Sequence, residues 1–295
     1  MRGAVRAAKT DPVLVSGIGV GALADEGFPA SVHKSSRLVW LSAPRLCQGV
    51  WRPYYLAILP KMWLNEDGQS AACAAIDHLL TLHPTFDAAA ALARAQGLAL
   101  PVCLANRAMT PNLSDAVLLA AGLFVVPEFL GNRAPLANTQ ARSLIKGIGM
   151  GRDIDDLTAL YVAGICGLGY VLRQIIDAQG AQGAQVRRIL ISGGAGSHGL
   201  VRRVLADATG LPVLSTQAEE PVLLGSAILD AVTGEHFATV GAAMAAMSRT
   251  GATFSPAIGA VSDWHSKAFA AFETLQNAAH LVQRASLLPF PADEK

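Results

Sequence analysis

Between Arg152 and Gly180 the sequence RDIDDLTALYVAGICGLGYVLRQIIDAQG keeps apolar residues on a three-to-four repeat, with acids at its start and glycine at its end. This predicts one long helix whose first-turn carboxylates favour the positive end of its dipole. The uncharged run Leu157 to Leu172 is fenced by Asp156 and Arg173. It falls short of the roughly 20 residues a bilayer span needs, so a buried helix is expected and no membrane partner.

The pattern then shortens into a strand-helix-strand unit: VRRILIS, then GLVRRVLADAT stopped by Gly210 and Pro212, then LPVLST. PVLLGSAILDAV, ended by Gly234, and FATVGAAMAAM predict two further helices, and Phe269, Phe272, Leu275, Ala279 and Val282 mark one face of an amphipathic helix. Upstream, the aromatic GVWRPYYLAILPKMW leads into NEDGQSAACAAIDHLL, whose spacing predicts a helix from about Gln69. Thr85 and Asp87 open a short helix over FDAAAALARA, closed by Gly97. VVPEFLGNRAPLAN reads as a loop, and the first forty-odd residues hold no sustained period, with VLVSGIGV strand-like and ADEGFPASVHKSS loop-like. Short strands alternating with helices define an α/β chain.

Composition narrows the function classes. The chain of 295 residues is 52% hydrophobic and 15% charged, so part of its surface is expected to be covered by something. Its net charge of +1 comes without a basic block, which argues against nucleic acid. Cys47, Cys73, Cys103 and Cys166 form no CxxC pair and have no histidine at ligand spacing, so buried free thiols in a reducing cytoplasm are expected, with no metal and no disulfide. Arg2, Arg6 and Lys9 ahead of an apolar stretch ending at Ala22–Ala24 imitate a secretory signal, but Asp11, Pro12 and glycines interrupt it, so a cytoplasmic location is expected.

The chemistry turns on ILISGGAGSHGLVRRVLADATGLPV, Ile189 to Val213. From Gly194 it reads GxGxxG after a strand, with Glu219 and Glu220 further on, as a dinucleotide fingerprint would. A glycine corner packing helix on strand accounts for the same residues without a ligand. The third reading is a resemblance. This stretch with EEPVLLGSAILDAV is similar to the C-terminal domain of the FGGY carbohydrate kinases, particularly the ribulokinase-like branch. GVWRPYYLAILPKMWLNEDGQSAACAAIDHLL, PEFLGNRAPLA and DIDDLTALYVAGICGLGYVLRQIID resemble further segments of that branch in the same order, over about Gln48 to Pro256.

The resemblance implies an α/β, actin-like ATPase half-domain of RNase H-like fold, a mixed sheet flanked by helices, binding ATP with Mg. It divides the chain into a degenerate segment 1–47, the domain 48–285 and a tail 286–295. Gly193, Gly194, Ala195 and His198 would line the adenosine end, and a helix carrying Gly68, Gln69, Ser70, Cys73 and Asp77 would approach the phosphates. Asp67 stands where the family commonly has glycine, and Cys73 where it usually has the glycine that admits a phosphate; a side chain there crowds the approach.

Phosphoryl transfer needs a carboxylate to take the acceptor's proton. The segment VSGIGVGALA places Gly19 at the family's catalytic Asp position, and glycine accepts no proton, so no catalytic residue is assigned. In the phosphate loop His33 and Lys34 replace Gly and Thr, while Ser35 and Ser36 remain. Asp25 and Glu26 read as solvated loop, Asp155 and Asp156 as helix-start charge, and His78, His83, His236, His265 and His280 as structural or surface residues. The expectation is the nucleotide-binding C-terminal half of a pentulose kinase, truncated and inactive alone. It would work only with a separate N-terminal kinase domain or through self-association; an interaction module and a dinucleotide-binding enzyme are the alternatives.

Overall fold

The structure, a computed structural model, describes residues 14–17, 22–23, 28–29, 37–42, 51–55, 63–109, 113–181, 186–192 and 198–286. Its frame is a seven-stranded mixed sheet built from β1 (Leu14–Gly17), β4 (Arg37–Ser42), β5 (Trp51–Tyr55), β6 (Trp63–Gly68), β9 (Ile189–Ser192), β10 (Val213–Thr216) and β11 (Thr250–Phe254), in the order β11-β10-β9-β1-β4-β6-β5. β1, β9 and β10 run parallel; β4, β6, β5 and β11 pair antiparallel with their neighbours. Two small ribbons stand apart, β2 (Ala22–Leu23) with β3 (Phe28–Pro29), and β7 (Phe124–Val126) with β8 (Leu144–Lys146).

The helices are α1 (Ala72–Thr81), α2 (Phe86–Ala95), α3 (Leu100–Ala108), a 3-10 turn over Leu113–Ala120, α4 (Ile154–Gly180), α5 (Gly199–Thr209), α6 (Pro221–Thr233), α7 (Val240–Met247) and α8 (Ala260–Ser286). α4 is the organiser. Asp153 caps it and forms a reciprocal box with Asp156, satisfying first-turn N–H groups. Leu157, Tyr161, Cys166, Leu172 and Ile175 are buried among α1, α3, α5 and β7. Close approach explains its glycines: a Cβ on Gly167 would come within 2.2 Å of the Val125 carbonyl oxygen, and one on Gly169 within 2.7 Å of the Ala208 methyl. The long helix is therefore core, as its fenced apolar run predicted.

α5 ends at Gly210, whose φ of +70° is the left-handed stop its sequence suggested. Other expectations need correction. α1 starts at Ala72, not near Gln69, because Gly68 closes β6 and Gln69 and Ser70 turn the chain with side chains bonded elsewhere. Val282 is 68% exposed, whereas Gln276 and His280 of α8 are buried in a polar contact the apolar pattern cannot register. The Cys73 side chain is exposed, while Cys103 and Cys166 are buried free thiols; Cys47 lies outside the described residues.

Candidate nucleotide site at one edge of the sheet

Strand register gathers the candidate segments. Ser192, the last residue of β9, pairs with Gly17, the last of β1; Gly17 pairs with Arg37, the first of β4; and Arg37 pairs with Gly68, the last of β6. At about 4.8 Å per strand the row is roughly 14 Å long. In the sequence, residue 193 directly follows Ser192, Gly19 stands two positions after Gly17, Ser36 directly precedes Arg37 and Gln69 directly follows Gly68. The row marks the carboxyl end of the parallel strands β1 and β9, where open α/β sheets bind ligands. Gly19, Ser35, Ser36, Gly193, Gly194 and Ala195 themselves lie outside the described residues, as do Asp25, Glu26, His33 and Lys34. Arg37, which no motif singled out, heads β4 in the middle of the row.

At the β6 end the turn is braced by side chains. Gln69 Nε2 donates to the Leu168 carbonyl of α4 at 2.8 Å, leaving its buried Oε1 without a protein partner, and the Ser70 hydroxyl donates to the Gly131 carbonyl at 3.1 Å. Cys73 and Asp77 follow one helical turn apart on α1. Partial burial, and then the Asp77 charge, raise the Cys73 thiol above its usual pKa; partial burial likewise raises Asp77. A protonated thiol is a poor nucleophile, so this pair offers bulk rather than reactivity.

At the β9 end, His198 is the N-cap of α5: its Nδ1 accepts the Leu200 N–H at 3.2 Å and its Nε2 lies 3.0 Å from Asn106 Oδ1 of α3. Burial, and then Arg202, lower the ring's pKa, favouring the neutral form that can cap. Asn106 was not foreseen, since an asparagine near the end of an amphipathic helix carries no signal of a partner 92 residues away.

The remaining candidate residues make contacts within the fold or face solvent. Asp155 pairs with Arg107 at 2.7 Å and Asp156 belongs to the α4 cap. His83 Nδ1 accepts the Thr85 N–H, His78 is exposed against Phe129, and His236 is exposed. His265 is buried beside Tyr170. His280 joins Gln276 and Asn132 around the buried Glu128. Among the described residues no cluster of three or more His, Cys, Asp or Glu could hold a metal ion.

This mixed sheet flanked by helices has the actin-like architecture of sugar kinases. The structure superposes on xylulose kinase from Rhodospirillum rubrum with a TM-score of 0.66 at 18% identity, covering 95% of this chain and 50% of that one. It superposes on Plasmodium falciparum glycerol kinase, solved with ADP, with a TM-score of 0.58 at 15% identity, covering 94% and 47%. Residues 35–234 match the FGGY family of carbohydrate kinases, C-terminal domain, and the chain belongs to that family. It is 36% identical over 214 residues to the FGGY carbohydrate kinase domain-containing protein of Homo sapiens, covering 72% of this chain and 39% of that protein. It is 33% identical over 199 residues to a D-ribulokinase of Saccharomyces cerevisiae, covering 66% and 28%. The chain thus spans well under half the length of these relatives.

Proposed function

We propose that this chain supplies the nucleotide-binding side of an ATP-dependent pentulose kinase, and that the carboxylate taking the acceptor hydroxyl's proton comes from a complementary N-terminal kinase domain. The observation that supports this is the register row Ser192–Gly17–Arg37–Gly68, which aligns along one end of a single sheet the strand ends that directly precede residue 193 and the Gln69–Ser70 turn. The D-ribulokinase relative motivates the sugar class.

Within this reading ATP, with Mg, supplies the transferable phosphoryl group. The Gln69–Ser70 turn and the start of α1 would offer it backbone N–H groups, and Arg37 heads β4, the strand next to β6 in the row. The adenosine end falls to the chain between β9 and α5. With one wall of the clamp on this chain, nucleotide affinity alone is low, because most binding energy needs both walls.

The test is calorimetric titration of the chain with ATP, ADP and NAD, with and without Mg, alongside a D-ribulose phosphorylation assay. Weak ATP binding, no turnover alone, and turnover on adding an N-terminal FGGY domain support the proposal. NAD binding in preference to ATP, or turnover by the chain alone that is abolished by substituting its own carboxylates, overturns it.

A further inference from the structure

Gln69 and Ser70, the two residues that leave β6, are tied to two different elements. The Leu168 and Gly131 carbonyls can only accept, so the Gln69 amide presents its NH2 to α4 at 2.8 Å and the Ser70 hydroxyl donates to the loop after β7 at 3.1 Å. Serine beside a helix start commonly turns its oxygen to the first-turn N–H groups. Here the hydroxyl proton goes to Gly131, and Ala71, the N-cap of α1, brings no side-chain cap.

The acceptor is held firmly. Gly131 has a φ of +83°, and a Cβ there would stand 2.8 Å from the Thr139 carbonyl oxygen, so the outgoing arm of the loop packs on its own return. Asn132 N–H donates to the Asn138 carbonyl at 2.8 Å, and Asn132 Oδ1 accepts the Leu136 N–H at 3.0 Å. That second bond orients the Asn132 amide, whose NH2 meets the buried Glu128 carboxyl at 2.6 Å. Ser70 is therefore fastened to a braced loop.

We infer that Ser70 is a positioning residue of the phosphate side: its hydroxyl ties the Gln69–Ser70 turn to the Gly131 carbonyl and so fixes where α1 begins. The inference rests on the reading that this turn receives the phosphates of ATP. Losing the hydroxyl frees the turn at one of its two fastenings, while the Gln69 bond to α4 and the buried Ile76, Leu79 and Leu80 keep α1 in the fold.

The experiment uses the full chain. Ala75 N–H donates to the Ala71 carbonyl, so exchange of this amide without nucleotide reports how firmly α1 begins. In Ser70→Ala it is expected to quicken about fivefold, the equivalent of one ordinary hydrogen bond lost, and Ser70→Thr, which keeps a hydroxyl, should restore it. Calorimetric titration with ATP, tripolyphosphate and adenosine then reads the site. ATP and tripolyphosphate should weaken about fivefold in Ser70→Ala and recover in Ser70→Thr, while adenosine, which has no phosphate, should bind as it does to the wild type. Gly131→Ala, strained by its φ and its approach to Thr139, displaces the acceptor and should weaken ATP likewise; in the Ser70→Ala background it should add nothing. Losses that add, adenosine falling together with ATP, or quickened Ala75 exchange with unchanged ATP affinity each overturn the inference. Ala75 exchange that is the same in Ser70→Ala as in the wild type overturns the tie itself. A wild-type chain that binds neither ATP nor tripolyphosphate overturns the functional reading on which the inference rests.

Discussion

Gln179, near the end of α4, donates its side-chain amide to the Asp67 carboxyl at 2.8 Å, and both residues are buried. Asp67 stands two residues before Gln69, at the end of β6. The structure shows how it is accommodated: α4 reaches back over the strand end with an amide donor.

A double-mutant cycle checks the coupling. Gln179→Leu strips a donor from a buried carboxyl and is expected to cost about 1–3 kcal/mol in urea unfolding. Asp67→Gly removes the group that needs the donor, so Gln179→Leu in the Asp67→Gly background should cost clearly less than it does alone. Equal costs in both backgrounds would show that the pair is not coupled.

The Glu128 carboxyl, 3% exposed, gathers donors from two distant parts of the chain: Asn132 Nδ2 at 2.6 Å, Gln276 Nε2 at 2.7 Å and His280 Nε2 at 2.7 Å. It fastens α8 to the loop whose Gly131 carbonyl receives Ser70. Glu128→Leu leaves three donors facing an alkyl group and is expected to cost on the order of 3 kcal/mol or more. His280→Leu leaves the other two bonds in place and should cost less. Hydrogen exchange should rise first over residues 128–141 and the last turns of α8 in both variants.

Acid should weaken the fold from the α8 side as well. His265 is buried with Nδ1 3.1 Å from the Tyr170 hydroxyl, and burial, with the Arg173 charge behind it, lowers its pKa to about 4. The unfolded chain takes up this proton near pH 6.5, before the folded one does, so the stability is complete above that value and is lost as pH falls towards 4. The loss from this residue should approach about 3 kcal/mol, and His198 adds to it with the same sign. Urea unfolding of His265→Gln across this range should show a shallower dependence; a slope equal to wild type would remove His265 as its source.

Periodicity located most helices but misplaced the start of α1 and the Val282 side of α8. α4, α5 and α6 fall on the segments their apolar spacing and glycine stops marked, and α7 forms the later part of FATVGAAMAAM, because helix signals are local. β4, β6 and β11 were silent: strands this short, five or six residues each, take their identity from neighbours across the sheet. The same limit governs the site. A motif can nominate Gly68, Gln69 and Ser70, but that Gly68 lies three strands from Ser192 is a fact of register. The polar partners Gln179, Asn106 and Glu128 join positions 92 to 152 residues apart, which no window along the chain can see.

The sharpest test of the phosphate side is Cys73. It occupies the first turn of α1 directly after the Gln69–Ser70 turn, and its side chain is exposed. If a phosphate approaches this helix start, the thiol stands between it and the backbone N–H groups. Cys73→Gly should therefore tighten ATP about fivefold, the equivalent of roughly 1 kcal/mol of helix-terminus interaction with an anion. The same substitution should lower thermal stability slightly, since glycine in a helix costs up to about 1 kcal/mol. Affinity and stability moving in opposite directions is the signature of a crowded anion site. Cys73→Leu, which keeps the helix and enlarges the obstruction, should abolish the residual ATP signal, and equal affinities for the glycine and leucine variants would place the phosphates elsewhere.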